Sequence, residues 1–220
     1  MPFVRSRLKG VADRVVACRY PPLERPQALS RSLNALRTNG QPAEPPPRLV
    51  PDRELPAYAY VPGESPHPTR DRDGHSFGSE PDTPAPADPE NWRSCRDYLY
   101  GIDLFNHGFY WEAHEAWEGL WVACGRQGTT ATYLQALINL AATGFKARWG
   151  NVRGIRANAK TAARLFRSAA RELGPQSRRY MGLDVCALRA YAEALRDGPP
   201  PDDDPEVPGA LRFDFVLRPE

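Results

Sequence analysis

Proline is spread so unevenly along this chain that it decides where helices can form. Of 24 prolines, 17 lie in residues 1–90 and six beyond residue 198, while residues 91–198 hold only Pro175. Proline lacks a backbone N–H and its ring clashes with the preceding helical turn, so long helices are confined to the middle of the chain. The expected fold is all-α: an antiparallel bundle of about five helices over residues 88–198, with a Pro-rich, largely irregular N-terminal extension. A unit of roughly 110 residues can bury its own core. Around it the chain should divide into a low-complexity or disordered leader (1–55), an extended segment that docks on the domain (56–87) and an acidic tail with a short extended piece (199–220). A fragment of about residues 86–200 should then fold alone.

Start and stop signals set the helix bounds. Asp88-Pro89-Glu90 offers an N-cap, a proline at the first helical position and an acid in the first turn, so the first helix should run from Asp88 to about Asn106. Gly125, Gly150, Gly174-Pro175 and Gly198-Pro199 then delimit helices near 110–124, 130–149, 151–174 and 184–197. Short helices are expected near Val4–Val16 and Gln27–Leu36. Leu211–Leu217 alternates like a short strand. Tyr58, Tyr60 and Val61 are too apolar for a solvated linker, and the prolines around them stiffen the chain, lowering the entropy lost on docking.

Net charge follows the same division. Residues 91–198 carry 15 basic and nine acidic side chains, a net of +6, and residues 199–220 carry two basic and six acidic, a net of −4. Cys18, Cys95, Cys124 and Cys186 are scattered without a Cys-x-x-Cys pair, so neither a zinc knuckle nor a thioredoxin-type site is readable. Reduced thiols, no long apolar stretch and no continuous signal-peptide core lead to the expectation of a cytoplasmic protein that does not span a membrane.

Chemistry is concentrated in Phe109-Tyr-Trp-Glu-Ala-His-Glu-Ala-Trp-Glu-Gly-Leu-Trp121. On a helix, His114, Trp117, Glu118 and Trp121 fall within an arc of about 100°, and two tryptophans mark an inward face. In the following helix Gln135, Asn139, Ala142 and Lys146 share an arc of about 60°. If the faces meet, His114, Glu118, Gln135, Asn139 and Lys146 form one buried polar network, which either only fixes helix pairing or marks a functional site. A divalent metal is the sharper version of the second reading. His-Glu-x-x-Glu has a glutamate where the zincin motif has its second histidine, and the next helix has no His, Asp or Glu. Further ligands would have to come from His67, His75 or His107.

At this motif the chain resembles a bacterial and archaeal family catalogued as domain of unknown function three hundred and nine. Phe105-Asn-His-Gly-Phe-Tyr-Trp-Glu-Ala-His-Glu follows the signature Phe-Asn-x-Gly-x-Tyr/Phe-x-Glu-x-His-Glu. Tyr133–Ala141 is similar to the family's second motif and Asn151-Val-Arg-Gly154 to its third. The resemblance spans about residues 95–175. It implies a small antiparallel all-α fold and marks Asn106, Tyr110, Glu112, His114, Glu115, Glu118, Trp121, Gln135 and Asn151 as family-type residues. Lys146 stands where many such sequences place a histidine, which counts against a shared metal. No activity comes with the resemblance. The 56–89 segment looks like an extension found in a subset of such proteins.

The fourth helix carries Arg153, Arg156, Lys160, Arg164, Arg167 and Arg171 within an arc of about 80°. Such a stripe is either a solvated face, a surface for phosphates or nucleic acid, or a seat for the tail acids Asp202–Asp204. Two classes of function therefore stand side by side. In one, Glu112, His114, Glu115 and Glu118 transfer protons or hold a small molecule or metal, with Asn106, Tyr110, Trp121, Gln135, Asn139 and Lys146 shaping the site. In the other, the chain is a non-catalytic module meeting an anionic partner through the basic stripe. A homo-oligomer fits either.

Overall fold

The computed structural model describes residues 46–79, 83–198, 213 and 215–220. The helices expected near Val4–Val16 and Gln27–Leu36, and the acidic run Asp202–Asp204, lie outside the described residues. The order of elements is a 3-10 turn (Trp92–Ser94), helices α1 (Arg96–Asn106), α2 (Tyr110–Ala123), α3 (Gly128–Arg148) and α4 (Val152–Leu173), a hairpin of strands β1 (Arg179–Tyr180) and β2 (Leu183–Asp184), and helix α5 (Val185–Asp197). Each helix packs on the next in sequence, as short connections dictate for an antiparallel bundle. No helix among the described residues is long and apolar enough to cross a membrane.

The chain enters the bundle later than Asp88. Asp88 and Pro89 sit in a turn, with the Asn91 N–H donating to the Asp88 carbonyl, and the 3-10 turn swings Trp92 into the core. The Trp92 ring meets Tyr98 edge-on at 6.3 Å. The cap signals at Asp88 are thus used by a turn, because burying a tryptophan outweighs one more helical turn. The β1–β2 hairpin was not foreseen. Its corner, Met181-Gly182, has positive φ at both residues (46° and 82°), the geometry of a two-residue type I′ turn.

α3 is the centre of the bundle. Tyr133, Leu134, Ala136, Leu137, Leu140 and Ala141 have no exposed surface, so this helix is apolar around most of its circumference and is covered by both α2 and α4. α4 is amphipathic, with Ile155, Ala159, Ala162, Ala163 and Phe166 inward. Its start is set by Asn151, whose side chain accepts from the Gly154 N–H at 2.8 Å. Asp184 caps α5 in the same way, accepting from Cys186 and Ala187 at 3.0 Å each.

Two irregular segments complete the core. Residues 46–55, assigned from sequence to the leader, are held on α1. The N–H groups of Leu49 and Val50 donate to the two carboxylate oxygens of Asp103 at 2.7 and 2.8 Å, and Val50 is buried. The leader expectation rested on proline density; the buried Asp103, silent in sequence, supplies the acceptor that orders this stretch. At the other end, Phe213, Phe215 and Leu217 turn toward the bundle, with Phe215 stacked on Tyr191 at 4.2 Å. Against the expected alternation, residues 213 and 215–220 form no strand, and Phe215 and Val216 are both partly buried. At Leu217 the Asn106 side chain takes the place of a partner strand, accepting from the Leu217 N–H and donating to the Leu217 carbonyl at 2.8 and 2.9 Å.

Candidate functional site

α2 has two working faces. Tyr110, Ala113, Trp117 and Leu120 recur at i, i+3, i+7 and i+10 and are buried, which turns this stripe to the bundle core. Glu112, Glu115, Ala116, Glu118, Gly119 and Val122 lie on the far side. They form one wall of a cleft of about 610 Å³. α1 supplies a second wall with Asp97, Tyr100 and Leu104, and the irregular segment supplies the third, including Arg53, Pro56, Thr69, His75 and Pro84.

That segment folds over α2 through aromatic contacts. Tyr60 packs edge-on against Trp111 at 5.5 Å and parallel to Phe145 at 5.9 Å, and His67 meets Trp111 at 5.5 Å. Val61 and Pro68 are buried. The Tyr58 hydroxyl donates to the Pro66 carbonyl at 2.9 Å and accepts the His75 N–H at 3.3 Å, fixing the loop that carries His75.

The loop delivers His75 to Glu112. His75 Nε2 is 3.3 Å from Glu112 Oε1, and its Nδ1 is 2.8 Å from the Ser76 hydroxyl. Oε1 also accepts the Tyr60 N–H at 2.9 Å. The two side chains are 10 % and 5 % exposed. Oε2 of Glu112 is buried without a hydrogen-bond partner among the described residues. Burial pushes the Glu112 carboxyl above its usual range, against the opposing pull of the Tyr60 N–H and His75. A carboxyl group in this setting holds a proton more readily than an exposed one, and the imidazole beside it can exchange that proton.

The remaining expected site residues fall into three groups. His114, Glu115 and Glu118 cluster, but at the surface: His114 Nδ1 is 3.2 Å from Glu115 Oε1 and 3.9 Å from Glu118 Oε2, and the two glutamates are each 46 % exposed. One donor atom from each lies within 4.8 Å of the others, a spacing that could hold a cation with three protein ligands. The buried network with the next helix does not form. No hydrogen bond or ion pair among the described residues joins His114 or Glu118 to Gln135, Asn139 or Lys146. Asn139 donates to the Gln135 carbonyl within α3, and the Lys146 ammonium lies over the Phe145 and Trp149 rings at 5.1 and 4.5 Å. The reason is angular: the core stripe is centred between Ala113 and Trp117, and His114 and Glu118 fall on its outer shoulder.

A second group is occupied by the protein's own chain. Asn106 is engaged by Leu217, and the Tyr110 hydroxyl accepts the Phe213 N–H at 2.7 Å. Trp121 is half-buried with the Arg126 guanidinium over its ring at 5.1 Å. The third group, Arg153, Arg156, Lys160, Arg164, Arg167 and Arg171, is exposed along α4.

Further ligands beside His114 were expected from His67, His75 or His107; His75 reaches Glu112 instead, and His67 packs on Trp111. Neither Tyr60 nor Tyr58 was read as part of a site, although their apolar character signalled that the segment docks. No curated protein matches this chain. Residues 98–158, from α1 into the first turns of α4, match the family described as Domain of unknown function (DUF309), the family that the α2 motif resembles.

Proposed function

We propose that the cleft between residues 53–84, α1 and α2 binds a small basic organic molecule, with Glu112 and His75 as its proton-exchanging pair. The observation that carries this reading is Glu112: a carboxyl 5 % exposed, raised by burial, on the wall of a cleft. A glutamate needed only for packing would be replaced at less cost by an apolar residue of similar volume. Asp97, Glu112, Glu115 and Glu118 line the cleft against the single guanidinium of Arg53, which is already paired with Asp97 at 2.8 Å. The excess of carboxylates favours an ammonium group. Tyr100, Leu104, Trp111 and Val122 offer apolar and aromatic surface for the rest of the molecule.

Thermal-shift screening of a panel of amines, quaternary ammonium compounds, carboxylic acids and neutral analogues tests the proposal. Amines should stabilise the protein, by about 2.7 kcal/mol at a hundred times Kd, and Glu115→Gln with Glu118→Gln should weaken them. Binding of acids or neutral compounds in preference to amines would overturn it. Titration with Zn²⁺ is the control: a stabilisation abolished by His114→Ala assigns the carboxylates to a metal instead.

A second reading has its own observation. Among the described residues, Arg153, Arg156, Lys160 and Arg164 make no ion pair, while Arg167 bonds Glu193 at 2.8 Å. The unneutralised half of the α4 face supports binding of an anionic partner. Retention on an immobilised polyphosphate, lost with Arg156→Ala and Lys160→Ala together, would favour it.

A further inference from the structure

An uninterrupted row of like charges is costly on a helix, and α4 carries one. From Asn151 to Arg171 the sequence has no acidic residue, so Arg153, Arg156, Lys160 and Arg164 meet only like charges at i+3 and i+4. Such pairs destabilise a helix by a few tenths of a kcal/mol each. A merely solvated face relieves this with acids, and the C-terminal half of α4 borrows one from its neighbour: Arg167 bonds Glu193 of α5 at 2.8 Å.

The unneutralised half begins beside an aromatic surface. Trp149, at the end of α3, is 47 % exposed, and Phe145 lies 6.4 Å from it, ring centre to ring centre. Lys146 joins the two features. Its ammonium is over Trp149 at 4.5 Å, while its side chain lies so close to the first turn of α4 that a Cβ on Gly154 would stand 2.9 Å from its Cγ. Gly154 sits between Arg153 and the Arg156 turn. Arg153, Arg156, Lys160 and Arg164 thus place one cation per helical turn over about 16 Å of α4 axis, and the exposed indole and the Lys146 ammonium stand at the first turn of that helix.

We infer that this edge of the protein, Trp149 with Lys146, Arg153, Arg156, Lys160 and Arg164, is a binding platform for single-stranded nucleic acid. This rests on the anion-binding reading of α4 and narrows it. The cations track phosphates without regard to sequence, and the indole stacks on an unpaired base. A duplex hides its base faces and leaves Trp149 without a role. Polyphosphate and acidic proteins have no bases to stack.

Fluorescence anisotropy with the full chain tests the inference. The probes are a fluorescein-labelled single-stranded DNA of mixed sequence, the same strand with abasic sites, its duplex, and labelled poly-L-glutamate. Trp149→Ala should weaken the intact strand about tenfold, the size of one stacked base, and leave the abasic strand unchanged. Trp149→Phe should restore most of the loss. Arg156→Ala with Lys160→Ala should lower the slope of log K against log salt by about 1.4, since each phosphate contact on a single strand contributes about 0.7. No binding of the intact strand at low salt overturns the inference. Equal binding of strand, duplex and polyglutamate, indifferent to Trp149, overturns it while leaving α4 an anion-binding face. Loss of every probe in the wild type removes both.

Discussion

His75 Nε2 stands 3.3 Å from Glu112 Oε1, joining a loop of the proline-rich extension to α2. The contact makes docking of the extension depend on protonation. Burial raises the Glu112 carboxyl above 4.5, its ordinary value. A raised folded-state value means that the folded protein holds the proton more tightly than the unfolded chain. Glu112 therefore contributes stability that is fully present below pH 4.5 and lost as pH rises through the raised value. Glu112→Gln imitates the protonated form at every pH. The thermal midpoint of Glu112→Gln, minus that of the wild type, should grow as pH rises above 4.5. A difference that stays flat from acid to neutral pH would exclude a raised carboxyl.

Asp103 holds residues 46–55 on α1. It is 1 % exposed and accepts both the Leu49 and Val50 N–H groups, with the Arg48 guanidinium at 3.7 Å. Asp103→Ala leaves two N–H groups near the core without an acceptor, at about 1–3 kcal/mol for each that stays buried. Urea denaturation should show a loss of about 2–5 kcal/mol. A fragment of residues 86–220 meets the reverse problem, a carboxylate in an apolar surface with its donors removed. It should be less stable than residues 46–220, and equal stability of the two would show that the segment contributes nothing.

The helices were legible because each has its own punctuation. Gly125, Gly150 and Gly174 set the ends of α2, α3 and α4 to within two residues, and the alternation of apolar and charged positions gave the exposed face of α4. Asn151 was read as a family-type residue; the structure shows an N-cap. The candidate site was legible in part. Glu112 was named, yet its partner lies 37 residues upstream in a segment with no periodicity, and nothing local to a Pro-Gly-rich stretch says which helix it will cross. The expected His114 network failed because two tryptophans, Trp117 and Trp121, were given equal weight in setting the inward face. Trp117 is fully buried and Trp121 only half, and moving the centre of the face toward Ala113 puts His114 outside.

Asn106 does for the C-terminal segment what a neighbouring strand would do, closing two hydrogen bonds on Leu217. Asn106→Asp keeps the acceptor for the Leu217 N–H but sets an oxygen against the Leu217 carbonyl. It should cost about 1–3 kcal/mol in urea denaturation. In a chain ending before residue 213 the same substitution should be nearly neutral, because the two changes remove one shared interaction. Additive losses would place the role of Asn106 elsewhere.

Two glycines within helices should respond to alanine with opposite signs. In a helix interior, Gly to Ala gains about 0.8–1 kcal/mol from backbone entropy and solvation, so the outcome turns on what the new methyl group meets. At Gly119 the nearest atoms beyond its own helix belong to the Pro84 ring, at 3.5 and 3.6 Å. That is ordinary contact, so propensity wins and Gly119→Ala should stabilise by roughly 0.5–1 kcal/mol. At Gly101 the methyl group would stand 2.2 Å from Trp117 Nε1 and 2.6 Å from its Cε2. The indole cannot retreat, since it has no exposed surface and its N–H donates to the Tyr98 carbonyl at 3.3 Å. Overpacking of this kind costs about 1–3 kcal/mol, and displacing the indole also leaves its N–H unpaired at about 1–3 kcal/mol. Set against the propensity gain, Gly101→Ala should destabilise by about 2–4 kcal/mol, with a shift in tryptophan fluorescence as Trp117 moves. Chemical denaturation of the two single variants beside the wild type reads both signs. A stable Gly101→Ala protein with unchanged fluorescence would mean that α1 and α2 do not approach through this glycine.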